Sequence, residues 1–142
     1  MTRATQLLSS SVCGLILMAA LVGCAHTATT ALDETRWTLA GWSISSQHAK
    51  DTGITAAFSN GKITGHSGVN TYGGTYAATT AGTFSVASLY MTEMAGPEPL
   101  MRAERAYMTL LEQSVSYKTR DGRLTLYDQG GNESLIFEPA NK

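Results

Sequence analysis

From Trp37 onward the chain alternates apolar and polar residues in short runs separated by turn residues, the pattern of a half-buried antiparallel sheet. Trp37-Thr38-Leu39 and Trp42-Ser43-Ile44 open it. Ile54, Ala56 and Phe58 then alternate with Thr55 and Ala57, and Asn60-Gly61 follows. Asn-Gly tolerates positive φ at both central positions of a tight turn, so a hairpin into Lys62-Ile63-Thr64 is expected. Residues 72–78 and 83–89 read as the next pair, on either side of Ala81-Gly82. Residues 115–118 turn at Asp121-Gly122 into 124–127, and a last strand at 135–137 follows Gly130-Gly131-Asn132. The pattern predicts about eight short strands.

One segment has a different period. Residues 97–115, PEPLMRAERAYMTLLEQSV, place Leu100, Met101, Tyr107, Leu110 and Leu111 at spacings of 3, 4 and 7. Such spacing draws one apolar stripe along a helix. Pro97 and Pro99 are tolerated in the first turn, and Glu98 suits the positive end of the helix dipole. Glu104 falls among the polar positions, where it is either solvated or in contact with a strand. A single amphipathic helix in a β-rich chain buries its stripe against the sheet. The expected fold class is therefore α+β and β-rich, a curved antiparallel sheet wrapped around one amphipathic helix.

The N-terminus follows neither pattern. Residues 1–24 carry one basic residue, Arg3, then an apolar run from Val12 to Val22, then Gly23-Cys24. This is the layout of a secretory signal. The run is roughly a dozen residues, whereas a helix needs about 20 to span a bilayer. Leu21-Val22-Gly23-Cys24 resembles the bacterial lipobox, in which a cysteine thiol receives a diacylglyceryl group before cleavage at its amino side. The predicted organisation is a lipoprotein signal peptide at 1–23, a lipidated Cys24 with a polar tether through residue 35, and one domain over 36–139. The predicted partner is thus the membrane, reached through Cys24. Ala25 stands where aspartate marks retention at the inner membrane, which favours the outer membrane, facing the periplasm, in a two-membrane host.

Cleavage before Cys24 removes 23 of the 142 residues and leaves a mature chain of 119, the size of one domain with one core. Of ten basic residues only Arg3 is lost, so nine face eleven acidic ones, a net of −2. No basic stripe remains, and nucleic acid is not an expected partner. Cys13 leaves with the signal, so no intrachain disulfide and no cysteine metal site can form in the mature chain. His26, His48 and His66 show no ligand spacing. No cofactor or metal is expected, and the domain is expected to be monomeric. Trp37, Trp42, Tyr72, Tyr76 and Tyr107 either line a shallow pocket or build the core, and the size of the domain favours the core.

A set of ordered residues spans the domain: Gly65, Gly68, Asn70 and Tyr72, then Met91-Thr92-x-Met94-Ala95-x-Pro97, then Met101, Glu104, Tyr107 and Leu110. In order and spacing this resembles the META domain, a family of small bacterial envelope domains that includes heat-inducible lipoproteins. The resemblance covers about residues 34–139. It implies an antiparallel sheet folded around a helix, a link to envelope or stress responses, and no agreed catalytic activity. It also implies that Gly65, Gly68, Asn70, Tyr72, Thr92, Met94, Pro97 and Glu104 are structural signature residues. Many bacterial members carry cysteines at the positions of Val69 and Gly96. Their joint absence here fits a bridge that relatives form and this chain does without.

The most chemistry-rich stretch is GHSGVNTYGGTY, residues 65–76. A phosphate loop needs glycines opening a helix after a strand, usually with a lysine, but Gly73-Gly74 leads into a strand pattern. Gly65-His66-Ser67-Gly68 lacks the spacing of a nucleophile elbow, and adjacent side chains on a strand point to opposite faces. The stretch reads as a strand end, a glycine-permitted turn around Asn70 and the start of the next strand. The resulting expectation is a membrane-anchored, non-enzymatic envelope module that binds or supports an envelope protein, a peptide or an apolar ligand. The alternative is a hydrolase or transferase with His66 as base.

Overall fold

The computed structural model describes residues 31–44 and 48–141. Its strands are β1 (Thr35–Trp42), β2 (Thr55–Ser59), β3 (Lys62–His66), β4 (Thr71–Ala78), β5 (Phe84–Met91), β6 (Ser116–Arg120), β7 (Arg123–Tyr127) and β8 (Glu133–Pro139). One α-helix among the described residues, α1 (Glu98–Glu112), lies between β5 and β6. All strand pairs are antiparallel, in the order β5-β4-β3-β2-β1-β8-β7-β6. The α+β, β-rich expectation is met, with the sheet curled into a half-barrel around the helix.

Turn chemistry sets the register. Asn60 and Gly61 take φ of 51° and 72°, and Asp121 and Gly122 take 52° and 73°. These left-handed pairs are what a two-residue hairpin needs to match strand twist. The two short strands expected at the start are one strand instead. Its pairing slips between Leu39↔Phe137 and Gly41↔Ile136, so a bulge at Ala40 changes which face the side chains present.

Curling brings the two edge strands together at one point. Phe84 N–H donates to Val115 O at 2.9 Å and Tyr117 N–H to Gly82 O at 2.8 Å. Beyond that point the edges part and α1 fills the interior, burying Ala103, Tyr107 and Leu111. Leu39, Phe58, Ile63, Leu124, Leu126, Leu135 and Phe137 surround it from the sheet, with Ile54 just before β2. Tyr107 meets Tyr72 and Phe137 edge-on, with ring centroids 5.5 and 6.5 Å apart. Trp37 and Tyr72 are buried, and Trp42 and Tyr76 pack against the same cluster, so the aromatics build core rather than a pocket.

The fold begins earlier than residue 36. Leu32, inside the segment read as tether, is fully buried. Asp33 Oδ1 accepts from the Asn60 N–H at 2.7 Å and from the Tyr76 hydroxyl at 3.2 Å. Glu34 Oε1 accepts from Ser59 Oγ at 2.5 Å. Residues 31–34 therefore close the end of the half-barrel that holds the Asn60-Gly61 turn. The opposite end, where β4 starts and β5 stops, holds loop 67–70, segment 92–97 and the first turn of α1.

Candidate functional site

The site grows from one residue on the helix. Glu104 follows Leu100 and precedes Tyr107 and Leu111 in the buried phase of α1, and it is 1% exposed. An ionised carboxylate in a core is costly unless donors replace its water. Oε2 accepts from Ser67 Oγ at 2.5 Å, from Asn70 N–H at 2.8 Å and from Val69 N–H at 3.4 Å. Oε1 accepts from Asn70 Nδ2 at 2.9 Å. Burial pushes the Glu104 pKa up, but these hydrogen bonds from Ser67, Asn70 and Val69 outweigh it, and the net shift is below the ordinary glutamate value.

The loop can offer those donors because of glycine. Gly68 sits at φ +120°, and a Cβ there would lie 3.3 Å from Leu100 O. Ser67 N–H donates to Asn70 O at 2.7 Å, closing the turn. Asn70 then links outward. Its Oδ1 accepts from Thr92 Oγ1 at 2.8 Å and Met94 N–H at 2.7 Å, and its Nδ2 also donates to Met94 O at 3.1 Å. One asparagine and one glutamate thus clasp loop 67–70, segment 92–94 and α1 together. Pro97 caps the helix start, its carbonyl accepting from the N–H groups of Leu100 and Met101.

Beneath the clasp lies a pair of phenols. Tyr72 donates to Thr55 O at 3.0 Å, so the 2.6 Å contact with the Tyr107 hydroxyl has Tyr107 as donor. Burial pushes both phenols above their ordinary value, more than the hydrogen bond pulls Tyr72 back. A Cβ on Gly65 would fall 2.0 Å from Thr55 O, so no side chain fits there without moving the backbone. Gly65, Gly68, Asn70, Tyr72, Thr92, Met94, Pro97 and Glu104 therefore converge on one end of the half-barrel. Met94 joins through its backbone, and its side chain is 55% exposed.

Other candidates stand apart. Leu21, Val22, Gly23 and Cys24, the lipobox, and His26 lie outside the described residues. His48 is exposed beside a short 3-10 turn. His66 uses Nδ1 to accept from Gly68 N–H at 3.2 Å. Ser67 directs its proton to Glu104 and Asn70 O, not to His66. Among the described residues no three His, Cys, Asp or Glu side chains gather as metal ligands. Sequence reasoning missed Ser67 as the partner of Glu104, although both lie in phase with buried neighbours.

Val69 and Gly96 face each other across the clasp. A Cβ built on Gly96 would lie 3.3 Å from Val69 Cβ and 2.7 Å from both of its methyls. Disulfides hold Cβ atoms about 3.5–4.5 Å apart, so these positions sit where a bridge fits after a small shift.

Residues 30–141 match the family model of the META domain. The chain belongs to the META domain family. As a META domain it is a bacterial envelope-associated domain, of a family whose function is unclear. Its fold is similar to a protein from Burkholderia xenovorans solved by NMR, at 26% identity over 78% of this chain and 85% of that one, with a TM-score of 0.64. A DUF4847 family protein from Bacteroides vulgatus shares the fold at 13% identity and a TM-score of 0.58, over 79% of this chain and 96% of that one. A second NMR structure does so at 18% identity and a TM-score of 0.58, over 76% and 91%. Among curated proteins nothing matches the sequence.

Proposed function

We propose that this META domain is held at a bacterial membrane by lipid on Cys24 and acts as a binding or structural module rather than an enzyme. The observation that carries the non-catalytic part is the mutual engagement of the polar signature residues. Glu104, Ser67, Asn70 and Thr92 direct their polar atoms at one another and at backbone, in a clasp whose carboxylate is 1% exposed. A carboxylate used this way stabilises a fold, and at 1% exposure it is closed off from a substrate. The same end carries Tyr90, Met91 and Met94, exposed at 67%, 40% and 55%, which suits contact with an apolar partner surface.

The anchoring is tested with Cys24→Ala. The expected result is an unprocessed precursor without palmitate label, and normal processing would overturn it. Crosslinking of the anchored protein in its native envelope, compared with His66→Ala, tests the rest. Identical captured partners are expected, whereas a partner or product change specific to His66→Ala would favour chemistry at that histidine.

A further inference from the structure

The hairpin of β6 and β7 reads YKTRDGR over residues 117–123 and holds three of the chain's ten basic residues in six positions. Tyr117 N–H meets Gly82 O, and β6 runs antiparallel to β5 from there, so the hairpin tip points away from the clasp. Ala31 lies at this end, sharing a surface hollow with Gly82, Tyr117 and Lys118. Lys118 also borders the neighbouring hollow, with Arg120, Arg123 and Glu133. Arg120 and Arg123 are 89% and 62% exposed, and their acidic neighbours, Asp121 at 4.0 Å and Glu138 at 3.6 Å, form exposed pairs that water screens.

Six residues lie between Cys24 and Ala31. Fully extended, the seven steps from one to the other reach about 24 Å. A lipid on Cys24 therefore keeps this end of the domain near the bilayer, where cations within a Debye length of about 8 Å feel anionic headgroups. We propose that Lys118, Arg120 and Arg123 rest the domain on anionic lipid headgroups of the membrane that anchors it, turning the clasp and the Tyr90, Met91 and Met94 surface away from the bilayer. This rests on the lipid-anchored reading above.

Cys24 is the mature chain's cysteine, and acylation blocks it, so an introduced thiol labels cleanly. The lipidated full chain is reconstituted in phosphatidylcholine vesicles with or without phosphatidylglycerol, with a fluorophore at Thr119→Cys or, at the clasp end, at Glu93→Cys. Flotation is read first, then quenching by a headgroup-borne quencher. The expected result is strong quenching at position 119 and weak quenching at 93, only with phosphatidylglycerol and lost at high salt. Reversal through Lys118→Glu, Arg120→Glu and Arg123→Glu lowers the contact signal by about tenfold or more. Equal quenching at both positions, or a difference that persists without phosphatidylglycerol, overturns the docking. A chain that does not float overturns the anchoring itself, and the docking with it.

Discussion

Glu98 and Glu104 lie six residues apart on α1 and show two ways of using a carboxylate. Glu98, at the solvent face, shares one oxygen between Arg102 and Arg105, each 3.3 Å away, with all three side chains about 60% exposed. Glu104, at the core face, meets no cation among the described residues and instead accepts from two backbone N–H groups, a hydroxyl and an amide. Formal charge partners would rank Glu98 as the better satisfied. Desolvation reverses the ranking, because hydrogen bonds to a buried charge have no water competing for them, whereas an exposed ion pair exchanges one solvated state for another.

The largest test of this contrast is Glu104→Ala. It leaves the N–H groups of Val69 and Asn70 without their acceptor and takes from Ser67 Oγ and Asn70 Nδ2 one of the two acceptors each has, and the expected loss is about 4 kcal/mol in urea unfolding. A loss under about 1 kcal/mol would show that loop 67–70 repairs itself. pH gives a second handle. The folded pKa of Glu104 is lowered from 4.5, so the unfolded state binds its proton first as pH falls. The stabilisation is complete above about pH 4.5 and is lost as pH drops through the lower folded value. The stability gap between the native chain and Glu104→Gln should therefore hold steady from neutral to mildly acidic pH, then close. A gap that widens in acid would contradict the lowered pKa.

A covalent tie across the same junction comes next. Val69→Cys with Gly96→Cys should oxidise readily and stabilise by about 3 kcal/mol, seen as a rise in the urea midpoint that reductant removes. The bridge and Asn70 join the same two segments, so their effects should not add. Placed in the Glu104→Ala chain, the bridge should recover more than it adds to the native one. Strict additivity would mean that the clasp acts on the helix alone, with no hold on segment 92–97.

Much of this arrangement is legible in the sequence. The Asn60-Gly61 and Asp121-Gly122 turns, the alternating strands and the single helix follow from local geometry, because each is set by neighbours two to four residues away. The clasp is not local. Residue type sets Glu104 among the polar positions, although its phase, four after Leu100 and three before Tyr107, belongs to the buried stripe. Nothing within one turn of Glu104 shows that Ser67 and Asn70, more than thirty positions earlier, will supply donors. Leu32 escaped for the related reason that a lone apolar residue in a polar run has no period. The signature residues were legible only as a set, through their resemblance to the META domain, and the structure supplies the physical reason why they occur together.

The smallest expected effect completes the comparison. Glu98→Ala removes both ion pairs and a favourable charge at the helix start, where Pro97 offers no side-chain cap. Even so, the loss should stay near 0.5 kcal/mol in urea unfolding and shrink further in molar salt. Salt is the sharper reading. Screening acts on Glu98 through water, whereas the donors around Glu104 lie inside the protein, so the Glu104→Ala loss should hardly move over the same salt range. If both losses fell together with salt, the core carboxylate would be drawing its stability from long-range charge. The short list of donors around it could then no longer account for its place in the core.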